Sequence, residues 1–249
     1  MNIQVFSDAA QLNAAAARVI AGELRRHPRT VLGLATGGTP IGIYNELIGL
    51  YNQGEVSFAQ ATSFNLDEYI HLPANHPESY RTYMRERLLR HIDLPQQRAH
   101  IPDGNAADAL QECERYERLL AECGGIDVQL LGLGHNGHIG FNEPGEQLDS
   151  RTHVAALKPE TRAANARFFG SPDDVPSHAI TMGLGHIMKA KLALLVATGD
   201  DKAGIVAQAL TGPVTPNCPA SLLQLHPNVL VLLDQAAAGS LPVHVETNA

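Results

Sequence analysis

Five short apolar runs, separated by segments of helical length, constrain this chain more than any other feature. They are TVLGLAT (30–36), ATSFNL (61–66), IDVQLLGLG (126–134), KLALLVAT (191–198) and NVLVLLD (228–234). A strand with one wet face alternates polar and apolar residues, whereas a nearly unbroken apolar run fits a strand covered on both faces. Helical spacing of apolar residues predicts helices over about 9–24, with Ser7 as N-cap, and over 39–54, 78–92, 106–125 and 200–210. Pro40 in a first turn, Gly54 near a stop, and Gly124 and Gly125 as C-cap candidates agree with those bounds. Alternating strands and helices imply an α/β fold with a mostly parallel central sheet between helical layers. No linker-like or low-complexity stretch interrupts the 249 residues, and the GLGH echo at 132–135 and 183–186 is too short for a repeat. One domain over 1–249 is expected.

Composition narrows the function classes. A net charge of −8 argues against a nucleic-acid or anionic-membrane partner. It leaves room for an anionic small molecule in a locally positive pocket. Cys113, Cys123 and Cys218 form no CxxC pair and no disulfide framework, which fits a reducing compartment. The N-terminus lacks a basic stretch followed by an apolar run, and no apolar run approaches a membrane span. A cytoplasmic location is expected.

In an open parallel sheet, ligands bind beyond the carboxyl ends of the strands, so the residues after each strand carry the search. After TVLGLAT, residues 36–40 read TGGTP and then enter a helix. Two glycines beside a helix start make an anion cradle, or merely a tight turn. The stretch is neither GxGxxG nor a Walker loop, so no nucleotide cofactor is indicated. After ATSFNL come adjacent acids, Asp67 and Glu68, at an apparent strand end; one could be a general base, or both could cap and solvate a turn. After IDVQLLGLG, residues 134–145 read GHNGHIGFNEPG, the densest chemical stretch. His135, His138 and Glu143 have a spacing that permits a metal, but the glycines break the helix such sites use, and none is assigned. A histidine oriented by an amide or carboxylate is the alternative, and a capped glycine turn the plainest one. Arg162, Arg167 and Lys202 are further anion candidates or solvated charges.

Taken in order, GLATGGTP, FNLDEYIHLPANHPESY, GHNGHIGFNEPG, TRAANARFF, SHAITMGLG, ATGDDKA and CPASLLQLHP resemble the glucosamine-6-phosphate deaminase family from near residue 30 to near 233. The resemblance implies a Rossmann-like three-layer sandwich and conversion of glucosamine 6-phosphate and water to fructose 6-phosphate and ammonia, with no cofactor and no catalytic metal. It implies that Asp67 shuttles a proton between C2 and C1, that His138 opens the sugar ring, and that Glu143 tunes His138 while Glu68 is structural. Thr36, Gly37, Gly38, Thr39, Arg167 and Lys202 would hold the sugar phosphate.

The chain departs from the family pattern at Asn136, where some members carry Asp; it can position a partner there but adds no charge. Activated hexameric members carry basic residues where His153 and Ala155 stand, and the chain ends soon after NVLVLLD. Weak or absent activation by N-acetylglucosamine 6-phosphate is therefore expected, with self-association left open. The FNEP and DEY motifs distinguish the chain from 6-phosphogluconolactonases, which resemble GxDGHxASLFP and DER. There is no length for the DNA-binding module of a sugar-phosphate-sensing regulator, and an isomerase of another amino sugar is the reading least excluded. A lid over about 158–176 is expected from its Arg, Asn and Pro content and its double Phe.

Overall fold

The computed structural model describes residues 1–73 and 75–242. Its central sheet has seven strands in the order β1-β10-β9-β6-β2-β3-β5. These are β1 (Asn2–Phe6), β2 (Val31–Leu34), β3 (Thr62–Asn65), β5 (Ala99–His100), β6 (Val128–Leu131), β9 (Leu192–Ala197) and β10 (Val229–Asp234). Every pairing within this sheet is parallel. All four residues of β2 and of β6 are buried, Gln129 of β6 included, as strands covered on both faces require. Helices α1 (Ala9–Arg26), α2 (Pro40–Asn52), α3 (Tyr80–Arg87), α4 (Ala109–Glu122), α5 (Pro159–Phe169), α6 (Leu184–Lys189) and α7 (Ala203–Thr211) complete the layers.

Several boundaries differ from the sequence reading for local reasons. Helix α1 is capped by Asp8, whose Oδ1 accepts the Gln11 N–H at 2.9 Å; Ser7 instead donates its hydroxyl to Asp8. Helix α3 stops at Arg87 and hands over to a short 3-10 turn, Leu89–His91, rather than running to 92. Helix α4 begins only after its Asp108 cap. The larger correction concerns Asp67 and Glu68. They do not lie in a strand-end loop but on β4 (Asp67–Tyr69), the first strand of a second, antiparallel sheet with β8 (His178–Thr181) and β7 (His153–Ala156), in the order β4-β8-β7. Asp67 pairs directly with Thr181, and His153 pairs with Thr181 from the other side.

From β2 the chain moves to β3 and β5 on one flank of the central sheet, then returns to build β6, β9 and β10 on the other. The carboxyl ends of β3, β2, β6 and β9 thus lie side by side at a topological switch point, where such sheets hold their ligands.

Candidate active site

A cavity of about 650 Å³ opens at that switch point. Of the ten residues singled out by sequence, Thr36, Gly37, Gly38, Thr39, Asp67, Asn136, His138, Arg167 and Lys202 line it. The tenth, Glu143, stands behind Asn136, whose Nδ2 donates to Glu143 Oε2 at 2.8 Å.

The adjacent acids take opposite directions. Glu68 turns toward the start of α3 and accepts the N–H groups of Tyr69 (2.9 Å), Tyr80 (2.9 Å) and Arg81 (2.8 Å). A carboxylate at a helix N-terminus satisfies donors the helix cannot pair itself and meets a favourable dipole. Asp67, only 5% exposed, faces the cavity. Burial, with the Glu68 charge beside it, pushes its carboxyl up from 3.8 to about 8. One acid is committed to backbone donors and the other faces the cavity.

The loop after β6 builds a relay. A carboxylate only accepts, so the Asn136 amide gives its NH2 to Glu143 and its Oδ1 to His138. That oxygen receives the His138 backbone N–H at 3.2 Å and lies 2.7 Å from Nδ1. Nδ1 must therefore carry the proton in that contact, leaving Nε2 as the nitrogen for exchange. His138 Nδ1 also lies 3.6 Å from Glu143 Oε2. Burial would raise the Glu143 carboxyl, but the His138 imidazole beside it, with lesser help from Thr161 and Asn136, brings it down to about 2. Gly134 allows the imidazole this position, since a Cβ there would sit 2.3 Å from the ring.

Across the cavity, Gly37 takes a positive φ of 95° where β2 turns into α2, a conformation favouring glycine. Residues 36–40 at the start of α2 line the same cavity as Lys202 and Arg167. Burial pulls the Lys202 ammonium down to about 8, against the pull of Asp201, and Arg167 pushes the same way as burial. An arriving anion relieves both effects. Lys202 is held by a bond to the Leu133 carbonyl at 2.8 Å.

Other candidates separate from the site. Arg162 straps the following loop by donating to the Val175 and Pro172 carbonyls. His135 leaves the His138 relay for Asp201 at 2.7 Å. Among the described residues no three His, Cys, Asp or Glu side chains are grouped to hold a metal ion. Residues not anticipated also line the cavity: Tyr80 from α3, and Glu160, Thr161, Ala164 and Asn165 from α5. Asn165 Nδ2 donates to the Tyr69 hydroxyl at 3.1 Å, tying α5 to the strand that carries Asp67. The i, i+4 spacing of Thr161 and Asn165 within TRAANARFF was the available signal, overshadowed by its arginines.

The family of glucosamine-6-phosphate isomerases and 6-phosphogluconolactonases matches residues 7–232. The glucosamine-6-phosphate deaminase of Rhodopirellula baltica is 52% identical over 241 residues, covering 97% of this chain and 96% of that protein. A monomeric glucosamine-6-phosphate deaminase of known structure is 47% identical with a TM-score of 0.94, over 96% of this chain and all of that one. The 6-phosphogluconolactonase of Trypanosoma brucei, at 24% identity and a TM-score of 0.76 over 97% and 98% of the two chains, shares the fold.

Proposed function

The chain belongs to the family of glucosamine-6-phosphate isomerases and 6-phosphogluconolactonases, and on that premise we propose that it converts glucosamine 6-phosphate and water to fructose 6-phosphate and ammonia. One observation carries the reading. A raised, cavity-facing carboxyl, an oriented imidazole and a cationic glycine cradle converge on one cavity of about 650 Å³.

The cradle at Thr36, Gly37, Gly38 and Thr39, with Lys202 and Arg167, takes the phosphate. His138 Nε2 moves a proton at the ring oxygen to open the pyranose, while Asn136 and Glu143 hold the ring and its tautomer. Asp67 removes the C2 proton and returns it to C1 while a proton of the substrate ammonium passes to O1, which converts the 2-amino aldose to the C2 imine of the ketose. Water adds at C2 and ammonia leaves. The substrate ammonium draws Asp67 toward its ionised form on binding, supplying the charge that burial withholds in the empty site. Helix α5 closes over the cavity as the lid, supported by its Arg167, Thr161 and Asn165 contacts on the site side.

No helix among the described residues is long and apolar enough to cross a membrane. A cytoplasmic location and a monomeric state are part of the proposal, the latter supported by the monomeric relative. Activation by N-acetylglucosamine 6-phosphate is weak: Ala155 is buried in β7 and His153 leans on Asp149, where activated members carry basic residues. The chain's last seven residues, the other part of that expectation, lie outside the described residues. The test is a substrate panel. Stoichiometric ammonia and fructose 6-phosphate from glucosamine 6-phosphate, and no hydrolysis of 6-phosphogluconolactone, is the expected result; the reverse preference refutes the proposal.

A further inference from the structure

The turn that joins His138 to Glu143 presses its backbone against Asp67. Gly140 has a φ of 58°, and a Cβ there would lie 3.1 Å from Thr181 Oγ1 and 3.5 Å from Asp67 Oδ2. The next residue, Phe141, points its N–H into the same space. Two acceptors compete for that donor: the Thr181 hydroxyl and the Asp67 carboxylate, which sit opposite each other in the β4–β8 pairing. The Phe141 N–H bonds Thr181 Oγ1 at 3.0 Å. The same N–H also acts on the Asp67 carboxylate as a second, weaker hydrogen bond, favouring the ionised form against burial. Asn142 fixes the turn in this register by donating Nδ2 to the Ile139 and Met182 carbonyls, each at 2.9 Å.

We propose that Thr181 is a positioning residue for the reaction: its hydroxyl shares the Phe141 N–H with the Asp67 carboxylate, and so weakens a bond that would otherwise make that carboxylate a poorer base for the substrate proton. This rests on the proposed deaminase reading and assigns a role within the same site. A carboxylate that accepts a backbone N–H is a weaker base, because the bond must be broken or weakened as the proton arrives. Thr181 is fully buried and has no access to the cavity, so it acts through Phe141 and Asp67 and not on substrate. The ionisable neighbours of Asp67 do not imitate the effect. Glu68 is committed to three N–H groups of β4 and α3. Tyr69, Tyr80 and Tyr116 are pushed up by burial and stay neutral over the working range. His138 is turned to Asn136.

The experiment compares wild type, Thr181→Val and Thr181→Ser through kcat and kcat/KM for glucosamine 6-phosphate as functions of pH. Wild-type turnover is the control for the functional reading, and its absence overturns that reading separately. With an active wild type, the Val variant is expected to move the acid limb of kcat/KM to lower pH by about half to one unit, the effect of one N–H on a carboxylate. Its kcat falls with little change in KM, and the Ser variant restores the wild-type profile. A Val profile whose acid limb stays in place overturns the proposal. If the Val variant does not fold, Thr181→Ala is read in its place: an acid limb that moves to lower pH supports the proposal, and one that stays in place overturns it.

Discussion

Replacing Asp67 by asparagine is expected to abolish turnover and to stabilise the fold. The side chain is 5% exposed, and burial with the Glu68 charge carries its carboxyl from 3.8 to about 8. A group that holds its proton more tightly folded than unfolded makes folding less favourable as pH rises between those two values. Below about pH 4 both states are protonated and nothing is lost; above about pH 8 both are ionised and the whole penalty applies. At about 1.4 kcal/mol per pH unit, the interval sets a ceiling of about 6 kcal/mol. Relaxation and water entry reduce such penalties, and a net cost of about 2–3 kcal/mol is the working figure. For a chain of this size that corresponds to about 4–12 °C in Tm. Calorimetry of wild type and Asp67→Asn at pH 5 and pH 8.5 reads it directly: the variant should melt higher, and the gap should widen with pH. A gap that does not change with pH, or a wild type more stable than the variant at pH 8.5, refutes the claim that Asp67 is held ionisable at the fold's expense.

Glu68→Gln tests the other acid of the pair. It keeps one acceptor for three backbone donors and loses the charge, so urea unfolding should show a loss of about 2–4 kcal/mol, and an unchanged midpoint would remove Glu68 from the account of α3. Lys202→Met should raise KM for glucosamine 6-phosphate about tenfold to a hundredfold with a smaller effect on kcat, as loss of a charge-assisted phosphate contact of about 1.5–3 kcal/mol requires. An unchanged KM would move the phosphate elsewhere. Titration with N-acetylglucosamine 6-phosphate should change the rate less than about twofold, well under the usual range for an allosteric effector; strong stimulation would show an activator site that His153 and Ala155 do not suggest.

The fold was legible where burial on both faces leaves a short, mostly apolar or β-prone run free of charged residues until its end. β2, β3, β6, β9 and β10 fall within the five segments read from sequence. β1, NIQVF, mixes polar and apolar residues at the edge of the sheet, and β5 has only two residues, so neither carries such a signal. The second sheet was hidden for a different reason. Asp67, His153 and His178 begin strands of only three or four residues, too short to show a period, and Asp67 meets Thr181 across 114 positions of sequence. Only the tertiary contact makes them strands. The site was legible where chemistry follows a strand end: TGGTP, Asp67 and the GHNGHIGFNEPG loop. Tyr80 was not, because on α3 its spacing reads as an ordinary helix face; Thr161 was not, because the arginines beside it drew the reading, and Arg162 misled because an arginine that straps backbone carbonyls looks like an anion ligand.

The central claim is that Asp67 carries the proton between C2 and C1 while its neighbour holds the helix. The most direct test is the release of ammonia and fructose 6-phosphate from glucosamine 6-phosphate at pH 8 by wild type and by a folded Asp67→Asn variant. The account expects equal amounts of the two products from the wild type and a loss of at least about a hundredfold in the variant, the scale of a missing general base. Release that survives the substitution would contradict it, whatever the substrate proves to be.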